Sequence, residues 1–168
     1  MPVEFRNVDA TPADDVRTWP YEALVTVIDR GLVADWQPVF AELRRSPWGR
    51  VARRVEQYLS YREPDGASTL FALAIERARE GVERADRAEV AARIREAVDR
   101  SGLTNRESAR LVGTSGSRLS TYLSGRVTPS AAMLLRIERA AIGSQHASGC
   151  DPASPRAGGV VGQRRPSG

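Results

Sequence analysis

The segment at residues 105–124, NRESARLVGTSGSRLSTYLS, is the feature that most restricts the fold of this 168-residue chain. Its small and apolar residues are spaced as two helices joined by a tight turn require. Ala109 lies midway along the first helix, where a small side chain lets a second helix approach closely. Gly113 follows an apolar pair, at the position where a helix ends in a left-handed residue. The segment therefore predicts a helix, a turn and a second helix packed across the first.

The second helix of this pattern has two different faces. Ser115 precedes it and is placed to cap it, because a serine side chain accepts a backbone N–H at this position. Leu119, Tyr122 and Leu123 follow the i, i+3, i+4 spacing of a buried face, and we interpret Tyr122 as a core residue. The opposite face carries small and polar side chains, which suit entry into a major groove of DNA.

This segment resembles the lambda-repressor-like (Cro/Xre type) helix-turn-helix family, and the resemblance extends over about residues 88–141. The small residue of the family motif corresponds to Ala109, its turn glycine to Gly113 and its core aliphatic residue to Leu119. The glycine that closes the recognition helix corresponds to Gly125, in the phrase SGRVTPS. The resemblance implies a helical DNA-binding domain.

In the family, the start and middle of the second helix contact base edges, and flanking polar residues contact the DNA backbone. Asn105 begins its helix and is expected to bind phosphate, because helix N-termini favour anions. Arg118 and Arg126 flank the second helix, so we expect phosphate contacts from both, and a base contact stays open for either. Arg106 is a weaker candidate for a contact with phosphate. The predicted DNA-binding residues are Asn105, Arg106, Gly116, Ser117, Arg118, Ser120, Thr121 and Arg126.

Gly116 and Ser117 depart from the family pattern, in which glutamine or another long side chain often reads bases. Bidentate recognition of adenine is therefore not assigned to them. Either the flanking arginines contribute more to recognition, or the shape of the DNA does.

The excess of positive charge is concentrated in the part of the chain that contains this pattern. All 25 strongly basic residues are arginine. Residues 83–142 hold 11 arginines against 7 acidic residues, whereas residues 1–82 hold 11 against 13. An excess of arginine is what a phosphate-binding surface requires. Solvated helix faces would also produce so modest an asymmetry.

The composition excludes several classes of function. The chain has one cysteine, Cys150, and one histidine, His146, which leaves no disulfide framework, zinc finger or Cys/His catalytic site within a single chain. Without lysine there is neither a Walker A nor a Schiff-base lysine. Glu56, Glu63 and Asp65 do not form a convincing metal set without histidine. We expect no enzymatic activity, no cofactor and no metal.

Membrane insertion and secretion are not indicated either. No apolar run approaches the length of a transmembrane helix, and the N-terminus lacks the basic and apolar regions of a signal peptide. We therefore expect a cytoplasmic protein without a membrane partner.

The whole pattern predicts an all-α fold, in which a small N-terminal helical domain is joined by a long helix to a lambda-repressor-like helix-turn-helix domain. Residues 1–19 are expected to form an extended arm and residues 20–82 a helical domain for a partner or for dimerisation. Residues 83–142 form the DNA-binding domain. We expect residues 143–168 to form a disordered tail, because the segment is too polar and glycine-rich to fold alone.

Three short helices are predicted in the N-terminal domain. The first begins at Pro20 and stops at Gly31. The second is capped by Asp35 and has Pro38 in its first turn, where proline is tolerated. The third opens at Ser46. We expect five aromatic residues of this domain to be core residues: Trp19, Tyr21, Trp36, Trp48 and Tyr58. An exposed one would indicate a partner surface.

Residues 68–101 contain no proline and are rich in strong helix formers, so they fit one long helix. Gly81 leaves a bend or break open, since glycine costs about 1 kcal/mol relative to alanine in a helix interior. Thr104 and Glu107 then form a capping box for the next helix. The last helix is predicted over residues 130–141.

The family resemblance implies a sequence-specific transcriptional regulator. A single helix-turn-helix makes few contacts, so such proteins pair on two-fold symmetric sites with half-sites about 34 Å apart. We therefore expect a repressor that binds double-stranded DNA as a homodimer. The segments WPYEALVTVIDRG and SPWGRVARRVEQYL are similar to regions of antitoxin-like regulators, which implies a toxin protein as partner and autoregulation of the operon. The alternative is a helical protein-interaction module with little or no DNA binding.

Overall fold

The computed structural model describes Phe5 and residues 9–148, with side chains described up to residue 143. Within these residues all regular secondary structure is α-helical, which confirms the predicted fold class. The helices are α1 (Tyr21–Arg30), α2 (Val33–Arg45), α3 (Arg50–Leu59), α4 (Gly66–Ser101), α5 (Asn105–Val112), α6 (Gly116–Leu123) and α7 (Ala131–Ser148).

Contacts divide the chain into two compact units, Met1–Glu89 and Val90–Gly168. The division falls within α4, which continues for 36 residues and passes through Gly81 without interruption. We call the two parts unit 1 and unit 2. The domain limits predicted from the sequence stay a proposal.

The core of unit 1 is built around Phe71, whose side chain is fully buried. Its ring stacks on Phe40 with centroids 4.7 Å apart and meets the edge of Trp36 at 5.5 Å. The indole N–H of Trp36 donates to the Val27 carbonyl at 2.8 Å, which satisfies the polar atom of this large side chain. The surrounding buried residues come from α1, α2, α3 and the chain before α1: they include Trp19, Leu24, Ile28, Val39, Leu43, Val51 and Val55.

The chain before α1 packs on the same core. Val16 and Trp19 are buried, although they lie in the segment expected to be an arm. The Trp19 indole N–H donates to the Asp14 carbonyl at 3.1 Å, and Arg54 of α3 donates to the Trp19 carbonyl at 2.8 Å. These contacts attach the segment just before α1 to the helices of unit 1.

Helix α2 begins earlier than its capping pattern predicted. It starts at Val33, and Asp35 is its third residue rather than its cap. The Asp35 carboxylate accepts the Leu32 N–H at 2.8 Å, so it acts on the same helix end from inside. Pro38 consequently lies in the second turn, where its missing N–H leaves the Ala34 carbonyl without that helical partner.

Trp48 is the aromatic residue for which the core prediction was wrong. Its side chain is 50% exposed. Helix α3 begins at Arg50 with Gly49 as its cap, so Trp48 lies in the preceding turn and outside the apolar stripe of the helix. The Arg79 guanidinium lies 6.0 Å from the centre of its ring. Trp19 is buried as predicted, while Tyr21, Trp36 and Tyr58 are partly buried.

Unit 2 consists of the end of α4 together with α5, α6 and α7. Its core contains Ile94, Ala109, Leu119 and Ile137, each with at most 3% of its surface exposed. Ser130 caps α7, since its hydroxyl accepts the Met133 N–H at 3.2 Å. The helix continues past residue 141 to Ser148, into the segment expected to be a disordered tail, and residues 149–168 lie outside the described residues.

Candidate nucleic-acid interface

The turn between α5 and α6 has the geometry that its glycine predicted. Gly113 follows Val112, the last residue of α5, and has φ of +75°, in the left-handed region. Its N–H donates to the Arg110 carbonyl at 3.2 Å, and the Thr114 N–H donates to the Ala109 carbonyl at 2.8 Å. These two bonds form a Schellman motif, which ends α5 and reverses the chain.

Helix α6 is fixed by its cap and by its buried face. The Ser115 hydroxyl accepts the Arg118 N–H at 3.2 Å, which confirms the predicted cap. Leu119 is fully buried and Tyr122 is 5% exposed, so both lie in the core as predicted. Ala109 of α5 is 1% exposed, as expected of a small residue that lets α6 approach.

The outward side of α6 is short and polar. Gly116, Ser117 and Ser120 are exposed, and Thr121 is partly exposed. A shallow depression of about 450 Å³ lies along this side. It is lined by Ser115, Ser117, Arg118, Thr121 and Val127.

The family described as "Helix-turn-helix domain" matches residues 89–141 of the chain. Residues 89–141 are a helix-turn-helix DNA-binding domain. The match covers unit 2 from its first residues to the buried part of α7, and it includes the scaffold residues Ala109, Gly113 and Leu119. Neither the curated proteins nor the solved structures contain a match to this chain.

Within the helix-turn-helix domain, Arg118 is the one charged residue of α6. Its Nε–H donates to the Tyr122 hydroxyl at 3.0 Å, and its guanidinium lies 5.9 Å from the centre of the Tyr122 ring. This hydrogen bond raises the pKa of the arginine above its usual value. The sequence interpretation of Tyr122 as a core residue missed this contact, which its i, i+4 spacing from Arg118 would have indicated.

The N-terminal end of α5 carries Asn105 and Arg106, both exposed. The predicted capping box is present there: the Thr104 hydroxyl accepts the Glu107 N–H at 3.3 Å, and the Glu107 carboxylate accepts the Thr104 N–H at 2.9 Å. The Thr104 hydroxyl also donates to the Glu107 carboxylate at 2.6 Å. This bond, and then the one from the Thr104 N–H, lower the pKa of Glu107, which keeps a negative charge at this helix end. That charge opposes an incoming phosphate, so the side chains of Asn105 and Arg106, rather than the helix end, would have to attract it.

Arg126 is exposed just beyond the end of α6. It follows Gly125, whose φ of +71° turns the chain away from the helix. The Val127 N–H then donates to the Thr121 carbonyl at 3.3 Å, which brings the turn back against α6. Arg126 therefore flanks α6 as predicted, whereas Arg118 is the third residue of the helix itself.

A further arginine contact at α6 was not predicted from the sequence. Arg95 of α4 donates to the Leu123 carbonyl, at the C-terminal end of α6, at 2.7 Å. A cation at this position satisfies a carbonyl that the helix itself leaves free. The two residues lie 28 positions apart, and no local pattern in the sequence marks the pair.

Two other kinds of site are absent from the residues that the structure describes. No group of three or more His, Cys, Asp or Glu side chains is arranged to hold a metal ion. No described helix is both long and apolar enough to cross a membrane.

Proposed function

We propose that this protein is a sequence-specific transcriptional regulator that acts as a repressor and binds a two-fold symmetric DNA site as a homodimer. The observation that carries the proposal is the outward side of α6, which is capped, supported by the core beneath it and unobstructed by long side chains apart from Arg118. One such helix reaches few base edges, so pairing of two copies would supply the contacts that specificity needs.

In this proposal the eight predicted contact residues divide into two groups. Gly116, Ser117, Ser120 and Thr121 face base edges from the outward side of α6. The polar residues at the edges of the domain contact phosphates, which position the protein without reading the sequence; they are Asn105, Arg106, Arg118 and Arg126.

Selection of bound sites from random duplex DNA tests the proposal directly. We expect an enriched motif made of two inverted half-sites about one helical turn, 34 Å, apart. A motif without internal symmetry would contradict the dimer. The failure of any motif to emerge would contradict sequence-specific binding.

We further propose that unit 1 provides a protein contact, either with a second copy or with a partner. Trp48 is 50% exposed and Tyr61 is 83% exposed, so unit 1 presents aromatic surface to its surroundings. Arg79 holds the turn that carries Trp48, since its guanidinium lies over the Trp48 ring, donates to the Pro47 carbonyl and pairs with Glu56. Exposed aromatic side chains backed by arginine are typical of protein interfaces.

The antitoxin function is a narrower form of this proposal, in which unit 1 binds a toxin and unit 2 represses the shared operon. Coexpression with the product of the adjacent gene tests it. A stable complex that Trp48→Ala weakens, with DNA binding retained, would support a toxin contact on unit 1. A single homodimer, unaffected by the neighbouring protein, would contradict it.

The short side chains of Gly116 and Ser117 favour one alternative, a helical interaction module with little or no DNA binding. A gel shift at low salt with a fragment of its own promoter separates the two. Since phosphate contacts dominate affinity at low salt, a DNA-binding protein should shift the fragment there, whereas the alternative predicts no shift.

A further inference from the structure

Arg118 is held in place by the residue one turn later in its helix. The Tyr122 ring is buried with Leu119 in the unit 2 core, so its hydroxyl has a fixed position. The Arg118 Nε–H donates to that hydroxyl at 3.0 Å, and the guanidinium lies 5.9 Å from the ring centre. An arginine side chain otherwise rotates freely at a helix surface, and each immobilised side chain of this kind costs entropy on binding.

The hydrogen bond leaves the outer part of the guanidinium available. Nε is used by Tyr122, while the two Nη groups retain their four N–H donors in a planar fork. Arg118 is exposed and lines the depression along α6 together with Ser117 and Thr121. A pair of parallel N–H groups on an exposed side chain fits two phosphate oxygens.

The position of Arg118 around the helix favours phosphate over a base edge. At about 100° per residue, Ser117, Thr121 and Ser124 form the centre of the outward side, and Arg118 lies about a quarter-turn or more from that centre, next to Tyr122. When a helix lies in the major groove, residues at its flank face the sugar-phosphate backbone, and residues at its centre face the bases.

We propose that Tyr122 is a positioning residue, which holds the Arg118 guanidinium ready to bind a DNA phosphate at the edge of the groove and so sets the orientation of α6. This inference rests on the proposed DNA-binding function. The base-facing side of α6 carries only short side chains, so a small rotation of the helix would remove their contacts. A fixed phosphate contact limits that rotation.

Binding of the full chain to a duplex of about 30 base pairs and arbitrary sequence tests the inference, because phosphate contacts do not depend on sequence. Affinity is measured from about 50 to 200 mM NaCl for the wild type, Tyr122→Phe, Arg118→Ala and the double variant. Phenylalanine keeps the buried ring and removes only the hydroxyl. Arg77→Ala, which removes an exposed arginine of unit 1, controls for the loss of one positive charge, and Tyr21→Phe, at a partly buried tyrosine of unit 1, controls for the loss of a hydroxyl.

We expect Arg118→Ala to reduce the slope of log affinity against log salt by about one. Tyr122→Phe should weaken binding about 3- to 10-fold, the effect of releasing one ordered side chain, and should move the slope towards that of Arg118→Ala. In the double variant the Tyr122→Phe effect should vanish. Both controls should bind like the wild type.

Three outcomes would overturn the inference. If Tyr122→Phe binds like the wild type, the hydroxyl does not position Arg118. If Tyr122→Phe weakens binding equally in the Arg118→Ala background, its effect is structural, and thermal unfolding of the same variants will show the loss. If the wild type does not bind duplex DNA at low salt, the proposed function fails and this inference fails with it.

Discussion

At the scale of single residues, Gly113 shows how one position can determine a fold without making a side-chain contact. A Cβ added there would meet no atom within 4 Å, so space is not the reason for glycine. The reason is φ of +75°, a backbone conformation that other residues adopt only at a cost.

Gly113→Val should therefore destabilise unit 2 by at least about 1–2 kcal/mol, because a β-branched residue in the left-handed region is strained. Thermal unfolding followed by circular dichroism measures the change. Gly116→Val is the matched control: it has equally open space but lies in the first turn of α6, and its cost should stay within about 0.5 kcal/mol. Equal losses for the two variants would contradict the argument from backbone conformation.

Thr121 illustrates recognition by a short side chain. Its hydroxyl donates to the Arg118 carbonyl at 2.7 Å, so it has no proton to offer to a base and retains its lone pairs and its methyl group. We expect Thr121→Ala to relax the preference at one base position by about 1–3 kcal/mol, with little change in affinity for arbitrary duplexes. Repeating the selection from random DNA with this variant checks the prediction, and an unchanged motif would remove Thr121 from the base-contacting set.

At the scale of elements, local signals mark the helix boundaries of the DNA-binding domain. Thr104 and Ser115 cap α5 and α6, Ser130 caps α7, and glycines with positive φ follow α4, α5 and α6. Because each cap involves residues within about one turn, these boundaries do not depend on the rest of the fold.

Helix α4 has a comparable cap at its beginning. The Asp65 carboxylate accepts the Ser68 N–H and the Ser68 hydroxyl, both at 2.7 Å, and pairs with Arg62. The Ser68 bonds and then Arg62 hold the pKa of Asp65 at about 2, below its ordinary value of 3.8. A lowered pKa means that the carboxylate stabilises the fold above pH 3.8 and that this contribution is lost as the pH falls towards 2.

We expect the unfolding temperature of unit 1 to fall between pH 4 and pH 2, and Asp65→Asn to flatten that dependence by removing the titrating group. Tryptophan fluorescence follows unit 1, since all three tryptophans lie in it. Asp9→Asn, which replaces an exposed aspartate of the same unit, provides the control and should keep the wild-type dependence. If the unfolding temperature of Asp65→Asn falls with pH as steeply as that of the wild type, other carboxylates cause the loss of stability in acid.

At the scale of the whole molecule, the residues that the structure describes form two hydrophobic cores that share no residue. Phe71 has no exposed surface in unit 1, and neither have Leu119 and Ile94 in unit 2. Two separate cores in a chain of this length are expected to unfold as two cooperative units.

Paired core substitutions test this independence. Phe71→Ala should cost about 3–5 kcal/mol and Leu119→Ala about 2–5 kcal/mol, because each leaves a cavity in a closed core. Phe71→Ala should lower the fluorescence-detected transition. Leu119→Ala should lower part of the circular dichroism transition and leave the fluorescence transition in place. An equal shift of fluorescence by Leu119→Ala would show that the long helix α4 couples the two units into one.

The sequence alone predicted much of the helix-turn-helix domain. The left-handed Gly113 and the caps Thr104 and Ser115 could be predicted because each acts on backbone groups of its own turn. Ala109 could be predicted because two helices that cross closely need a small residue at the crossing. The sequence also limited the DNA-facing side of α6 to short side chains, since the period of the helix places Ser117, Thr121 and Ser124 at the centre of its outward side and Gly116 at its edge.

Only the tertiary structure decided several other features. Trp48 is exposed because α3 begins only at Arg50, which leaves Trp48 in the turn before the helix. Its large apolar side chain alone had favoured the core. The contact of Arg95 with the end of α6 and the burial of Val16 and Trp19 join residues far apart in the chain. Local signals determine where a helix begins and ends, because they act within one turn. Which side chains are covered, and which are left to meet DNA or another protein, depends on contacts that form only when distant segments pack together.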